Sequence, residues 1–143
     1  MFKLTIELVP KSQWGFNLRS DMSKQVWDKL RKDVYKAANY CCEICGGKGP
    51  KWPVECHERW QYDDVNKLQI LKGLTALCPD CHRVKHMGRA IACGEGPAAI
   101  AHFITVNNCT EDEAEEYMRD VQQIWGKRSC DQWELDLSWL ADV

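Results

Sequence analysis

The sequence predicts an α+β fold in one domain, on three observations. Short runs of alternating apolar and polar residues stand near both ends and in the middle of the chain. Segments with helical spacing of apolar residues lie between them. Two C-x-x-C pairs, Cys42/Cys45 and Cys78/Cys81, bracket the central stretch with no thioredoxin-like βαβ pattern around them. The 143 residues suffice for one core, and 45% hydrophobic with 28% charged residues is a globular composition. No repeat or linker divides the chain. The expectation is a single domain over 1–143, with a zinc core at 40–92 and a helical and strand extension at 97–143.

Taken in order, residues 2–9 alternate Phe2, Leu4, Ile6 and Leu8 with polar residues and predict a strand ended by Pro10. Ser23 is placed to cap a helix reaching about Tyr40, with Val26, Leu30, Val34 and Ala37 on one face. Cys42 to Gly47 is a tight turn, and Pro53 to Trp60 is extended until Asp63-Asp64 breaks it. Leu68–Leu71 and Leu74–Leu77, joined by Lys72-Gly73, predict a short hairpin. Cys78-Pro79 opens a helix that carries Cys81, His82 and His86 and ends near Gly94, with Pro in the first turn where its missing N–H costs nothing. A short helix over 97–106 follows. Thr110-Glu111-Asp112-Glu113 is a capping box opening a helix to about Trp125. Trp133, Leu135, Leu137 and Trp139 predict a last strand, placed to pair with the first.

The net charge of −2 hides an asymmetry: residues 1–105 carry 16 Lys and Arg against 11 Asp and Glu, the remainder 3 against 10. A polyanion would be drawn to the first part and repelled by the tail. No run is apolar enough to span a membrane, and the alternating N-terminus is unlike a signal peptide, so the expected location is the cytoplasm. Nine cysteines, an odd number, then indicate metal in a reducing compartment rather than a disulfide framework.

Each C-x-x-C turn sets two sulfurs on one side of the backbone. Cys42, Cys45, Cys78 and Cys81 together complete a four-thiolate structural zinc site, and the spacing favours Cys42 over Cys41. Cys93, Cys109 and Cys130 read as small buried hydrophobes. His82 and His86, four apart on a helix, share a face and can form half of a second metal site. His57 lies on the extended segment expected to pack against them. Glu55 and Glu58 flank it as ligand or orienter, Glu55 on the His57 face of an ideal strand and Glu58 on the Cys56 face.

The stretch Val54-Glu55-Cys56-His57-Glu58, followed by Gly73-Leu74-Thr75-Ala76-Leu77-Cys78-Pro79-Asp80-Cys81-His82-Arg83-Val84-Lys85-His86, resembles the HNH, or ββα-metal, endonucleases, in particular the subgroup with a four-cysteine zinc. The match covers about residues 40–90. Over its whole length the chain also resembles small stand-alone HNH proteins of bacterial and phage genomes, through Glu7-Leu8-Val9-Pro10, His57-Glu58-x-Trp60-x-Tyr62-Asp63-Asp64 and Leu135-Asp136-Leu137-Ser138.

The resemblance implies an α+β fold with a ββα-metal core. It implies His57 as general base, and His82, His86 and Cys56 as ligands of a catalytic cation (Mg2+, Mn2+, Ni2+, Co2+ or Zn2+) beside the structural Zn2+. The family's central Asn position holds Gly73, and the family's strand is distorted beside the His57 position, so the alternation of Glu55 and Cys56 leaves the ligand open. The implied reaction is metal-dependent hydrolysis of DNA phosphodiester bonds, by nicking or cutting with low sequence specificity, or hydrolysis of RNA. Arg83, Lys85 and Arg89 are the expected phosphate contacts. Trp14, Trp52 and Trp60 are placed either to stack on bases or to fill the core. The alternative is an inactive HNH-scaffold zinc module that binds nucleic acid or a protein. The acidic helix at 110–125 would suit a protein partner.

Overall fold

The computed structural model describes all residues 1–143. It has six helices and one three-stranded sheet. The helices are α1 (Leu18–Asp21), α2 (Lys24–Ala37), α3 (Pro79–Lys85), α4 (Met87–Ala92), α5 (Gly96–Asn107) and α6 (Glu111–Arg128). The strands are β1 (Glu55–Asp63), β2 (Leu68–Leu77) and β3 (Glu134–Asp136).

The centre is a β1–β2 hairpin followed directly by α3, a ββα unit. Its turn is built by Asp63, whose carboxylate accepts from the backbone of Val65 and Asn66 at 3.1 and 3.0 Å and from the Asn66 side chain at 2.8 Å. The hairpin expected inside 68–77 does not form. β2 runs through Lys72-Gly73, and the irregularity there is a bulge: Arg59 pairs with Gly73 and Trp60 with Leu71, leaving Lys72 as the extra residue.

Each face of the hairpin covers its own core. On one side Leu18, Trp27 and Leu71 pack with Cys56, Trp60 and Leu74, beneath α2. The other cluster joins Leu4, Leu77, Val84, Met87, Ala90, Ala99, Phe103 and Ala114 to the cysteines. Ser23 caps α2 by accepting from Val26 N–H at 3.2 Å, as the sequence indicates. The helix stops at Ala37 rather than Tyr40, because Asn39 and Tyr40 turn to φ of 54° and 58°. The capping box between Thr110 and Glu113 is present, and α6 continues to Arg128.

The first residues are not a strand. Their alternation is real, since Phe2, Leu4 and Ile6 pack into the core, but the backbone is satisfied mainly by side chains. Leu4 exchanges two 2.9 Å hydrogen bonds with the Asn107 amide, Ile6 N–H donates to the Tyr117 hydroxyl at 2.9 Å, and Glu7 N–H donates to the Lys85 carbonyl at 3.0 Å. The period-2 signal thus reports an extended strap lying on helices. The last strand is also shorter than expected: β3 pairs in parallel with Leu68–Ile70 of β2, and Trp139 falls in the closing 3-10 turn Ser138–Asp142. The helix expected from Pro79 to Gly94 divides at His86, whose φ of −107° and ψ of 52° end α3 and begin α4. No helix is long and apolar enough to cross a membrane.

Candidate metal centres

Cys42 and Cys45 lie on the turn after α2, and Cys78 and Cys81 at the N-cap and first turn of α3. Their sulfurs all lie within 4.8 Å of one another. Four thiolates at about 2.3 Å from a tetrahedral zinc stand about 3.8 Å apart; the Cys45–Cys78 Sγ separation is 3.7 Å. Backbone N–H groups point at the sulfurs, Cys45 N–H to Cys42 at 3.5 Å, Gly47 N–H to Cys45 at 3.4 Å and Cys81 N–H to Cys78 at 3.4 Å. A hydrogen bond from Cys81 holds the Cys42 thiol far below its ordinary range, and the Cys81 thiol is raised in return. Burial pushes Cys78 up to about 11. One thiolate among four close sulfurs discourages the next, and a divalent cation removes that repulsion. The four cysteines therefore form a site able to hold a metal ion such as zinc.

Around this site two further groups act that sequence reasoning did not single out. His102 of α5 brings Nε2 to 3.1 Å from the Cys81 sulfur. Glu43, inside the first C-x-x-C, accepts from the Thr75 hydroxyl at 2.8 Å and from Ala76 N–H at 2.5 Å, tying the turn to β2. Cys41 stays outside the cluster. Of the remaining cysteines Cys109 packs half-buried against the core, whereas Cys93 and Cys130 are exposed rather than buried as expected.

The second cluster joins His57 of β1 to His82 and His86 at the two ends of the α3 turn. One nitrogen from each ring lies within 4.8 Å of the others, and the ring centroids are 5.0 to 5.2 Å apart. Carboxylates sit behind two of the rings. His82 Nδ1 is 2.8 Å from Glu55 Oε1, which leaves Nε2 free to face inward. His57 Nε2 is 3.3 Å from Glu7 Oε1, and its Nδ1 is buried without a partner. Glu7 is itself fixed by the Tyr62 hydroxyl, which donates to Oε2 at 2.8 Å.

Burial, with the neighbouring imidazoles, lowers His82 and takes His86 down to about 4, although His86 as a residue is the exposed member of the three. Three converging imidazoles, two of them backed by carboxylates and one with an orphaned buried nitrogen, could hold a metal ion. Three imidazoles suit zinc, nickel or cobalt better than magnesium.

Cys56 does not join this cluster. It lies on the opposite face of β1, packed toward Trp27 and Leu71, where burial pushes its thiol up to about 12. Simple strand alternation decides this: Glu55 and His57 face α3, and Cys56 faces α2. Gly73, with φ of 154°, lies opposite Arg59, and a Cβ there would run into the guanidinium.

The three expected phosphate contacts are in different states. Arg83 is paired with Asp80 at 3.0 Å and Glu95 at 3.3 Å. Lys85 is turned to Thr5 at 3.0 Å, and burial lowers its pKa. Arg89 is exposed. Trp14 stacks on Trp125 at 5.3 Å, Trp60 packs edge-on against Phe16, and the Trp52 N–H donates to Glu55 Oε2 at 2.8 Å. Comparison of the chain with protein-family models, curated proteins and solved structures gives no match.

Proposed function

We propose that this protein is a metal-dependent endonuclease of HNH type that hydrolyses DNA phosphodiester bonds, with a structural zinc at the four cysteines and a catalytic cation at His57, His82 and His86. The observation that carries the reading is the imidazole cluster itself: three histidines from a strand and the following helical turn, converging beside a cysteine staple. A divalent cation held there would supply Lewis acidity, neutralising charge on the phosphate and acidifying water.

The chain's own residues bind and orient. Glu55 fixes the tautomer of His82, so that Nε2 is the ligating nitrogen. Tyr62 aligns Glu7, and Glu7 holds His57 through Nε2. His57 is 1% exposed with one nitrogen on a carboxylate. A general base must reach a water, so burial favours His57 as a ligand through Nδ1 over the base role implied by the family resemblance. Cys56 takes no part, and the donor set is then entirely imidazole, borderline in softness.

The test is nicking of supercoiled plasmid by wild type and His86→Ala, with Mg2+, Mn2+, Ni2+, Co2+ and Zn2+ each added in turn. His86→Ala is preferred to His57→Ala because its side chain is not in the core. Metal-dependent nicking that vanishes in the variant, while one tightly held zinc per chain remains, is the expected result. Absence of cleavage with every metal, or equal cleavage by the variant, overturns the nuclease reading in favour of an inactive zinc module on the same scaffold.

A further inference from the structure

Beside Glu7 opens a cleft of about 600 Å³ whose lining includes four cations, Arg59, Lys72, Lys85 and Arg128, against the single carboxylate of Glu7. In a chain of net charge −2 this is a local excess of positive charge. Glu7 accepts from Tyr62, lies 3.3 Å from His57 and acts on the charge of Lys85, which leaves an excess of three positive charges among the lining residues.

Two of the four are anchored. Lys85 is hydrogen-bonded to Thr5 at 3.0 Å. Arg128 pairs with Asp64 at 2.9 Å and lies 4.2 Å over the Tyr62 ring. The other two, Arg59 and Lys72, are exposed and make no ion pair. The guanidinium of Arg59 has one long hydrogen bond, 3.5 Å to the Lys72 carbonyl.

The β-bulge brings these two free cations together. Lys72 is the extra residue of β2, and Arg59 stands opposite Gly73, whose missing Cβ is what lets the guanidinium lie across the strand. Exposed cations on facing positions of the bulge, neither in an ion pair although Lys72 lies within the field of Asp136, at the rim of a cleft that reaches the His57 carboxylate partner, are suited to a polyanion. A single phosphate needs neither this volume nor four cations.

We propose that this cleft seats the phosphodiester backbone of a polynucleotide, with Arg59 and Lys72 as its phosphate-contacting residues. The choice of polyanion rests on the nuclease reading. It moves the substrate contacts from Arg83 and Arg89 to the hairpin bulge.

The test measures binding of a fluorescein-labelled DNA duplex to the zinc-loaded protein, before a second metal is added, for wild type and Arg59→Gln/Lys72→Gln. Each phosphate contact adds about −0.9 to the log–log salt slope, so Arg59 and Lys72 together account for a slope of about −1.8, a loss of about twelvefold between about 50 and about 200 mM salt, and the double variant is expected to lose that part of the slope. An unchanged slope and affinity in the double variant overturns the proposal. If wild type nicks no plasmid with any metal but the slope still falls in the double variant, the cleft stands and the nuclease reading fails.

Discussion

Glu55 offers the sharpest test of the imidazole cluster, because it touches a ligand and not the cation. Its Oε1 lies 2.8 Å from His82 Nδ1, and its side chain is 31% exposed. Removing a carboxylate behind a ligating imidazole lowers metal affinity by about 10- to 100-fold. Partial exposure screens this one, which puts Glu55→Ala near the lower end, about tenfold, or about 1.4 kcal/mol. The assay is calorimetric titration of Ni2+ or Zn2+ into protein whose thiolate site is already filled, so that only the second site reports. Oε2 also accepts from the Trp52 indole at 2.8 Å, so Trp52→Phe is the control. It keeps the carboxylate on His82 and is expected to change affinity by less than about threefold. A Glu55→Ala affinity equal to wild type, with the thermal stability of both proteins matched, would refute the idea that Glu55 orients a ligand.

Two further variants address the frame around the sites. Glu43→Ala removes the acceptor of the Ala76 N–H, on a residue with no exposed surface, so about 2 kcal/mol and a fall of about 6 °C in melting temperature are expected; a shift under about one degree by calorimetry counts against the tie. Asp64 is held below the usual carboxylate range by its hydrogen bond from Arg128, so its contribution is present above the unfolded-state value and is lost as pH falls through the lower folded value. Asp64→Asn should flatten the acid limb of stability against pH in that window, and acid titration by circular dichroism would show an unchanged limb if the pair contributes nothing.

Much of the site was legible because it is written locally. The C-x-x-C spacings, Pro79 after Cys78, and the His82/His86 interval need only a turn or two of chain to act, and the structure brings these residues together as the intervals suggest. The break at His86 was not legible, since the i, i+4 interval is the same on a continuous helix and on a turn that changes direction. Alternation on β1 separates Glu55 and His57 from Cys56, but the sequence, read through the resemblance, keeps Cys56 as a ligand, and the structure decides against it. The failures are long-range. Residues 2–9 have strand alternation, yet their partners are Asn107 and Tyr117, more than a hundred residues away for each bond. Lys72-Gly73 has turn composition, but its glycine is needed for a close approach by Arg59. Glu7 and Tyr62 stand in stretches that carry the whole-chain resemblance, but no local interval assigns them a role, and they acquire one only when the strap crosses β1.

The two clusters are not independent, because α3 belongs to both. Cys78 caps the helix through its sulfur, Cys81 lies one turn in, and His82 follows immediately. A metal at the thiolates therefore fixes the direction in which the His82 ring leaves the helix, while Glu43 ties the other half of the staple to Thr75 and Ala76, opposite His57 and Cys56 across the ladder. An ion at the thiolates would thus reference both the strand that carries His57 and the helix that carries His82. Seven residues of helix are too few to persist alone in water. Their order must come from the staple and from packing of Val84 and Met87, and the imidazole cluster inherits it. Folding free energy from a metal at the thiolates would in this way be converted into a fixed geometry for the three histidines.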